Sequence, residues 1–162
     1  MDRPILFNTQ MVRAILDGKK TQTRRVANRD NTLYCPYGRP KDTLWVRETW
    51  ANDIPFCPNG ITYRADHQNP KGDGPANPIK WRPSIFMPRR ASRIALEIIG
   101  VRLERLQEIP EPDVMQEAPP EFWTHPDGPL GAFIKLWDSI NAKRGFGWDA
   151  NPLVWVINFN RV

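Results

Sequence analysis

A chain of 162 residues, 40% hydrophobic and 25% charged, is long enough to bury one real core and too short for two, which favours a single domain and excludes wholesale disorder. The formal net charge is +5, and arginine supplies 16 of the 23 basic residues. Guanidinium groups pair bidentately with phosphate and stack on bases, so the balance favours a nucleic-acid or nucleotide partner, and the absence of any apolar run of span or signal-peptide length points to a cytoplasmic protein with no membrane contact.

In chain order, Ile5 to Phe7 reads as a short strand. Thr9 is expected to cap a helix whose Met11, Val12, Ile15 and Leu16 share one face, and Gly18 ends it. The stretch Asp17-Gly18-Lys19-Lys20-Thr21-Gln22-Thr23-Arg24-Arg25 follows at once. A glycine in the left-handed conformation turns the chain sharply there, and Thr21 to Val26 reads as a strand. Strict alternation puts Lys20 and Thr23 on opposite faces, so the two share a pocket only if Lys20 still belongs to the turn. The plain alternative is a solvated basic junction.

Asn28 to Lys41 is turn-rich. Thr43 to Trp50 alternates as one strand carrying Glu48 and Trp50 at its far end. Segments 52–59 and 66–78 are rich in Pro, Gly, Asn and Asp and flank a short strand at Ile61 to Arg64, so an irregular insertion is expected around 52–80. Cys35 and Cys57 each open a Cys-Pro-x-Gly tetrapeptide without a second nearby ligand; both are expected as free thiols, His67 and His125 as loop residues, and no metal or other cofactor is expected.

From Trp81 to Arg93, aromatic side chains and arginines, Arg89 among them, interleave between prolines. Two readings stand: rings stacking on bases with guanidinium groups on phosphates, or Trp81, Ile85 and Phe86 as core with solvated arginines. Arg93 to Leu106 is the longest strand, with a bulge expected near Gly100. Pro112 opens a short helix running to Ala118 and stopped by Pro119-Pro120, which leaves Glu117 at a helix end where the dipole disfavours negative charge. Leu130 to Ala142 is a helix whose Phe133, Leu136, Trp137 and Ile140 read as packing, and Leu153 to Phe159 is a nearly all-apolar central strand.

The stretch Gly18 to Arg25 resembles the G-x-K-x-x-[ET]-x-R signature of the ASCH domain. Trp45 to Trp50, Pro83 to Arg89, Leu136 to Asn141 and Trp148 to Pro152 are similar to blocks of longer ASCH proteins common in bacteriophages and prophages. The resemblance implies an α+β fold, a small PUA-like mixed β-barrel of about six strands decorated by about three helices. Small bacterial relatives remove the acetyl group from N(4)-acetylcytidine with a lysine, a threonine and a glutamate, and the resemblance carries these onto Lys20, Thr23 and Glu117. Arg25, Glu48, Trp50 and Arg89 are the expected substrate-binding residues, Glu48 being also the rival carboxylate. Two other functions fit the same fold: a non-catalytic RNA-binding module, and a ribonuclease acting on single-stranded RNA.

Overall fold

The computed structural model describes residues 1–27, 32–52, 54, 57–68, 79–118, 121 and 123–162. Part of the turn-rich segment after Ala27, most of the second half of the expected insertion and the Pro119-Pro120 stop lie outside the described residues.

Five strands form the main sheet: β1 (Asp2–Leu6), β2 (Gln22–Val26), β3 (Thr43–Arg47), β6 (Ala95–Arg105) and β7 (Leu153–Arg161), in the order β1-β3-β6-β7-β2. β1 and β3 are parallel, with Ile5 opposite Val46, and the other pairings are antiparallel. β4 (Trp50–Ala51) and β5 (Thr62–Tyr63) make a separate small sheet. Three helices, α1 (Thr9–Leu16), α2 (Glu111–Glu117) and α3 (Gly128–Asn141), complete the α+β fold. The edge strands β1 and β2 are drawn toward one another, since Arg25 Nη2 on β2 donates to the Leu6 carbonyl at 2.6 Å. A side chain thus bridges the seam of a strongly curved sheet.

Local chemistry explains most element ends. The cap of α1 is Asn8 rather than Thr9: its side-chain oxygen accepts from Met11 N at 2.9 Å, and Thr9 is the first helical residue. Gly18 has φ 71°, and beyond it the amides of Lys19 and Lys20 both return to the Ala14 carbonyl. The register of β6 against β7 shifts between Ile98 and Gly100, where the bulge was expected.

The expected strand from Thr43 to Trp50 is broken. β3 ends at Arg47, and Trp50 pairs instead with Tyr63 and bridges Arg82. The cause is tertiary: the chain leaves the main sheet to start the small one. Ile85 and Phe86 are 58% and 70% exposed, so the core reading of that stretch fails for them, and Met87 is the residue that goes inside.

β7 is buried on both faces, as its apolar run requires. Val154 and Val156 pack with Val114, Phe133 and Trp137 of α2 and α3. Ile157 and Phe159 pack with Ile5, Phe7, Val12 and Ile15 around α1. Burying each such side chain stabilises the fold by roughly 1.5–3 kcal/mol. Val26 of β2, the neighbour of β7, packs against the second cluster. Both cysteines are free thiols, and no described helix is long and apolar enough to cross a membrane.

Candidate active site

The turn after α1 delivers Lys20 into the interior. It stands before β2 begins, and its side chain is 2% exposed. Nζ donates to the backbone carbonyls of Gln22 at 2.7 Å and of Glu117 at 2.6 Å, with the Phe7 ring centroid 5.7 Å away. A neutral amine has two N–H bonds and one lone pair. Two carbonyls therefore satisfy both of its donors and leave the lone pair free. Burial pulls the pKa of Lys20 from 10.5 down to about 7; Glu117 opposes the shift, while Arg25 and Arg24 add to it.

The end of α2 is tied to the start of β2 by backbone, since Thr21 N donates to the Gln116 carbonyl at 3.1 Å. Glu117 is buried, 5% exposed, and both carboxylate oxygens are engaged by Arg24: Oε1 accepts from its backbone N at 2.5 Å, Oε2 from Nη1 at 2.6 Å. Arg24 also reaches Gln22 Oε1, Glu104 and Asp113. Burial works against the Arg24 charge, yet the surrounding carboxylates outweigh it and raise its pKa. Each Glu117 oxygen carrying one hydrogen bond keeps a second acceptor position.

Alternation along β2 sorts its side chains. Gln22 and Arg24 bond to each other on one face, while Thr23 and Arg25 are spaced to share the other. A cleft of about 180 Å³ opens here, lined by Thr23, Arg25 and Glu117, with Tyr37 across from them in sequence and Trp137 and Asn141 from α3. Lys20 does not line the cleft itself. It lies behind the wall, bonded to the peptide group that joins Gln22 to Thr23. The Thr23 hydroxyl has no hydrogen-bond partner among the described residues, although the residue is 3% exposed. Arg25 stacks its guanidinium 5.0 Å from the Phe7 centroid, and its Nε is buried without a partner among the described residues.

No protein-family model matches this sequence, and neither does any curated protein. Solved structures do share its fold. The hypothetical protein PH0355 superposes with a TM-score of 0.53 at 9% identity, covering 100% of both chains. An ASCH domain from Lactobacillus crispatus JV V101 gives 0.53 at 10% identity, covering 99% of this chain and 79% of that one. This chain has the ASCH-domain fold. Protein EF3133 from Enterococcus faecalis V583, of the family DUF984, gives 0.52 at 8% identity over the same shares.

Within this ASCH fold the remaining residues expected at the site stand apart from the lining of the Thr23 cleft. Glu48 is 1% exposed and paired with Arg93, Nε to Oε1 at 3.0 Å; burial raises its pKa against the opposing pull of Arg93. Trp50 lines a second pocket with Asn59 and Arg90. Arg89 is exposed, donates to Asp2 at 2.8 Å and leans over Trp45 at 5.8 Å. Four site residues went unread in the sequence: Arg24, which holds Glu117, and Trp137, Asn141 and Arg144, which line the cleft. The i, i+4 spacing of Trp137 and Asn141 was the available signal for a polar group on the packing face of α3.

Chemically, the cleft offers a free hydroxyl, a base near neutrality behind it, a carboxylate with spare acceptor capacity and a cation facing the same space.

Proposed function

We propose that this chain is an ASCH-family amidohydrolase acting on a base-modified nucleoside, with the acetyl group of N(4)-acetylcytidine as the simplest substrate. Neutral Lys20 takes the hydroxyl proton as Thr23 Oγ1 bonds to the acetyl carbon. Arg25 faces the oxyanion so formed. Collapse breaks the bond from carbon to N4, and N4 receives the proton held by Lys20, relayed past the Glu117 carboxylate. Water then adds to the acetyl-threonine ester with Lys20 again accepting a proton; that proton returns to Thr23 Oγ1 as acetic acid departs.

The observation that carries this reading is Lys20, a buried amine with a pKa of about 7 and both donors of its neutral form taken. An ordinary lysine is charged at neutral pH and is no base. The test is incubation with N(4)-acetylcytidine and, separately, with a labelled single-stranded RNA. Release of cytidine with intact RNA supports the hydrolase; cut strands would identify a ribonuclease.

A second reading, a module that binds RNA without turnover, is favoured by arginine–tryptophan pairs outside the cleft. Arg47 and Arg89 flank Trp45, Arg82 lies 5.6 Å over Trp50 and Arg64 lies 5.7 Å over Trp81. On that reading Trp50 and Arg89 contact the strand, and affinity falls steeply with salt while no product forms.

A further inference from the structure

The lining of the Thr23 cleft is electrically unbalanced. It includes Arg24, Arg25 and Arg144 against a single carboxylate, Glu117, which leaves a surplus of two positive charges. Arg24 is already neutralised by Glu117, Glu104 and Asp113, so the surplus resides on the other two. Among the described residues Arg25 has no carboxylate of its own: Nη2 is satisfied by the Leu6 carbonyl, its face by Phe7, and Nε by nothing. Arg144 follows α3 in a 3-10 turn closed by Gly145 at φ 80°, is exposed, and makes no ion pair among the described residues; its guanidinium lies 5.8 Å from the Phe146 ring centroid.

Desolvated guanidinium groups without counter-charge are costly, and the cost is offset when a ligand supplies the anion. A transient oxyanion answers Arg25 alone. Arg144 is exposed on the lip of the same cleft, where its planar fork is open to a second and permanent anion. An acetylated pyrimidine is uncharged, and its ribose is too.

We infer that the cleft takes a phosphorylated substrate, with Arg144 binding a phosphate attached to the ribose while the base reaches Thr23. The inference rests on the nucleobase reading proposed above and names the substrate class for the same site. The phosphate comes either from a nucleoside monophosphate or from an RNA backbone.

Calorimetric titration of the intact chain with cytidine, CMP and the dinucleotide cytidylyl-cytidine tests it. CMP or the dinucleotide is expected to bind about tenfold or more tightly than cytidine, the size of one charge-assisted contact. Preference for CMP assigns the phosphate to a free nucleotide; preference for the dinucleotide assigns it to a strand. Arg144→Gln is expected to bring all three within about twofold of one another, whereas Lys143→Gln, on the neighbouring exposed residue, leaves the preference intact. Equal binding of the three ligands to the unsubstituted chain, binding of none, or a preference that survives Arg144→Gln overturns the inference. Its failure is separable from that of the hydrolase: N(4)-acetylcytidine turned over with no phosphate preference sinks this inference alone, and a phosphate preference without turnover sinks the hydrolase alone.

Discussion

Lys20 Nζ donates to the main-chain carbonyl of Glu117 at 2.6 Å, joining residues 97 positions apart. The contact is to the backbone, not to the carboxylate, which belongs to Arg24. An ion pair with the carboxylate would lock the lysine in its charged form; a carbonyl leaves it free to be neutral.

The first consequence is a pH profile. With the Lys20 pKa at about 7, the proposed base is mostly charged below that value and neutral above it. The rate constant kcat/KM for amide hydrolysis is expected to rise about tenfold per pH unit below 7 and to level off above it. Lys20→Met is expected to remove activity at every pH. A profile still climbing at pH 9 would show that the base is an ordinary lysine.

Stability should carry the same signature. The folded pKa lies below the unfolded value of 10.5, so between about 7 and 10.5 the unfolded chain binds the extra proton and folding stability rises with pH. The contribution is complete above the unfolded pKa and is lost as pH falls through the folded one. The full swing is on the order of 4 to 5 kcal/mol. Urea titrations of the parent chain and Lys20→Met at pH 6 and pH 9 should differ by about half of that amount, the parent gaining relative to the variant at the higher pH.

Arg24 supplies the structural counterpart. Its side chain is 0% exposed and serves three carboxylates. Arg24→Met strands the buried Glu117 charge, while Arg102 still pairs with Glu104 and Asp113, and is expected to cost about 3–5 kcal/mol, read as a lower urea midpoint. Glu117→Gln keeps one acceptor for Arg24 and should cost less.

The cap of α1 is a smaller test of local structure. Asn8→Ala is expected to cost about 1 kcal/mol, while Thr9→Ala, inside the first turn, should move the thermal midpoint very little. Equal effects would return the cap to Thr9.

What the sequence disclosed follows the range of the forces involved. The stop at Gly18, the bulge near Gly100 and the doubly buried β7 are local or periodic features, and all three were legible. The turn that frees Lys20 from strand alternation was legible too, because a glycine with φ 71° is written into one position. Arg24 was not, since its meaning depends on Glu104 and Asp113, which arrive from 80 and 89 residues away. The break at Glu48 was hidden for the same reason: Trp50 leaves the main sheet only because Tyr63 and Arg82 are there to meet it. The polar role of α3 was masked by its apolar stripe, in which Phe133 and Trp137 do pack inward while Ile140, 48% exposed, lines the cleft mouth.

The central claim is that the Thr23 hydroxyl attacks an amide carbonyl, and the most direct measurement is cytidine released from N(4)-acetylcytidine by the parent chain and by Thr23→Ala, with folding of both verified. Release by the parent, a loss of about a thousandfold or more in Thr23→Ala and partial recovery in Thr23→Ser are the expected results. Equal release by the parent and the folded Thr23→Ala protein, or no release by the parent, would contradict it.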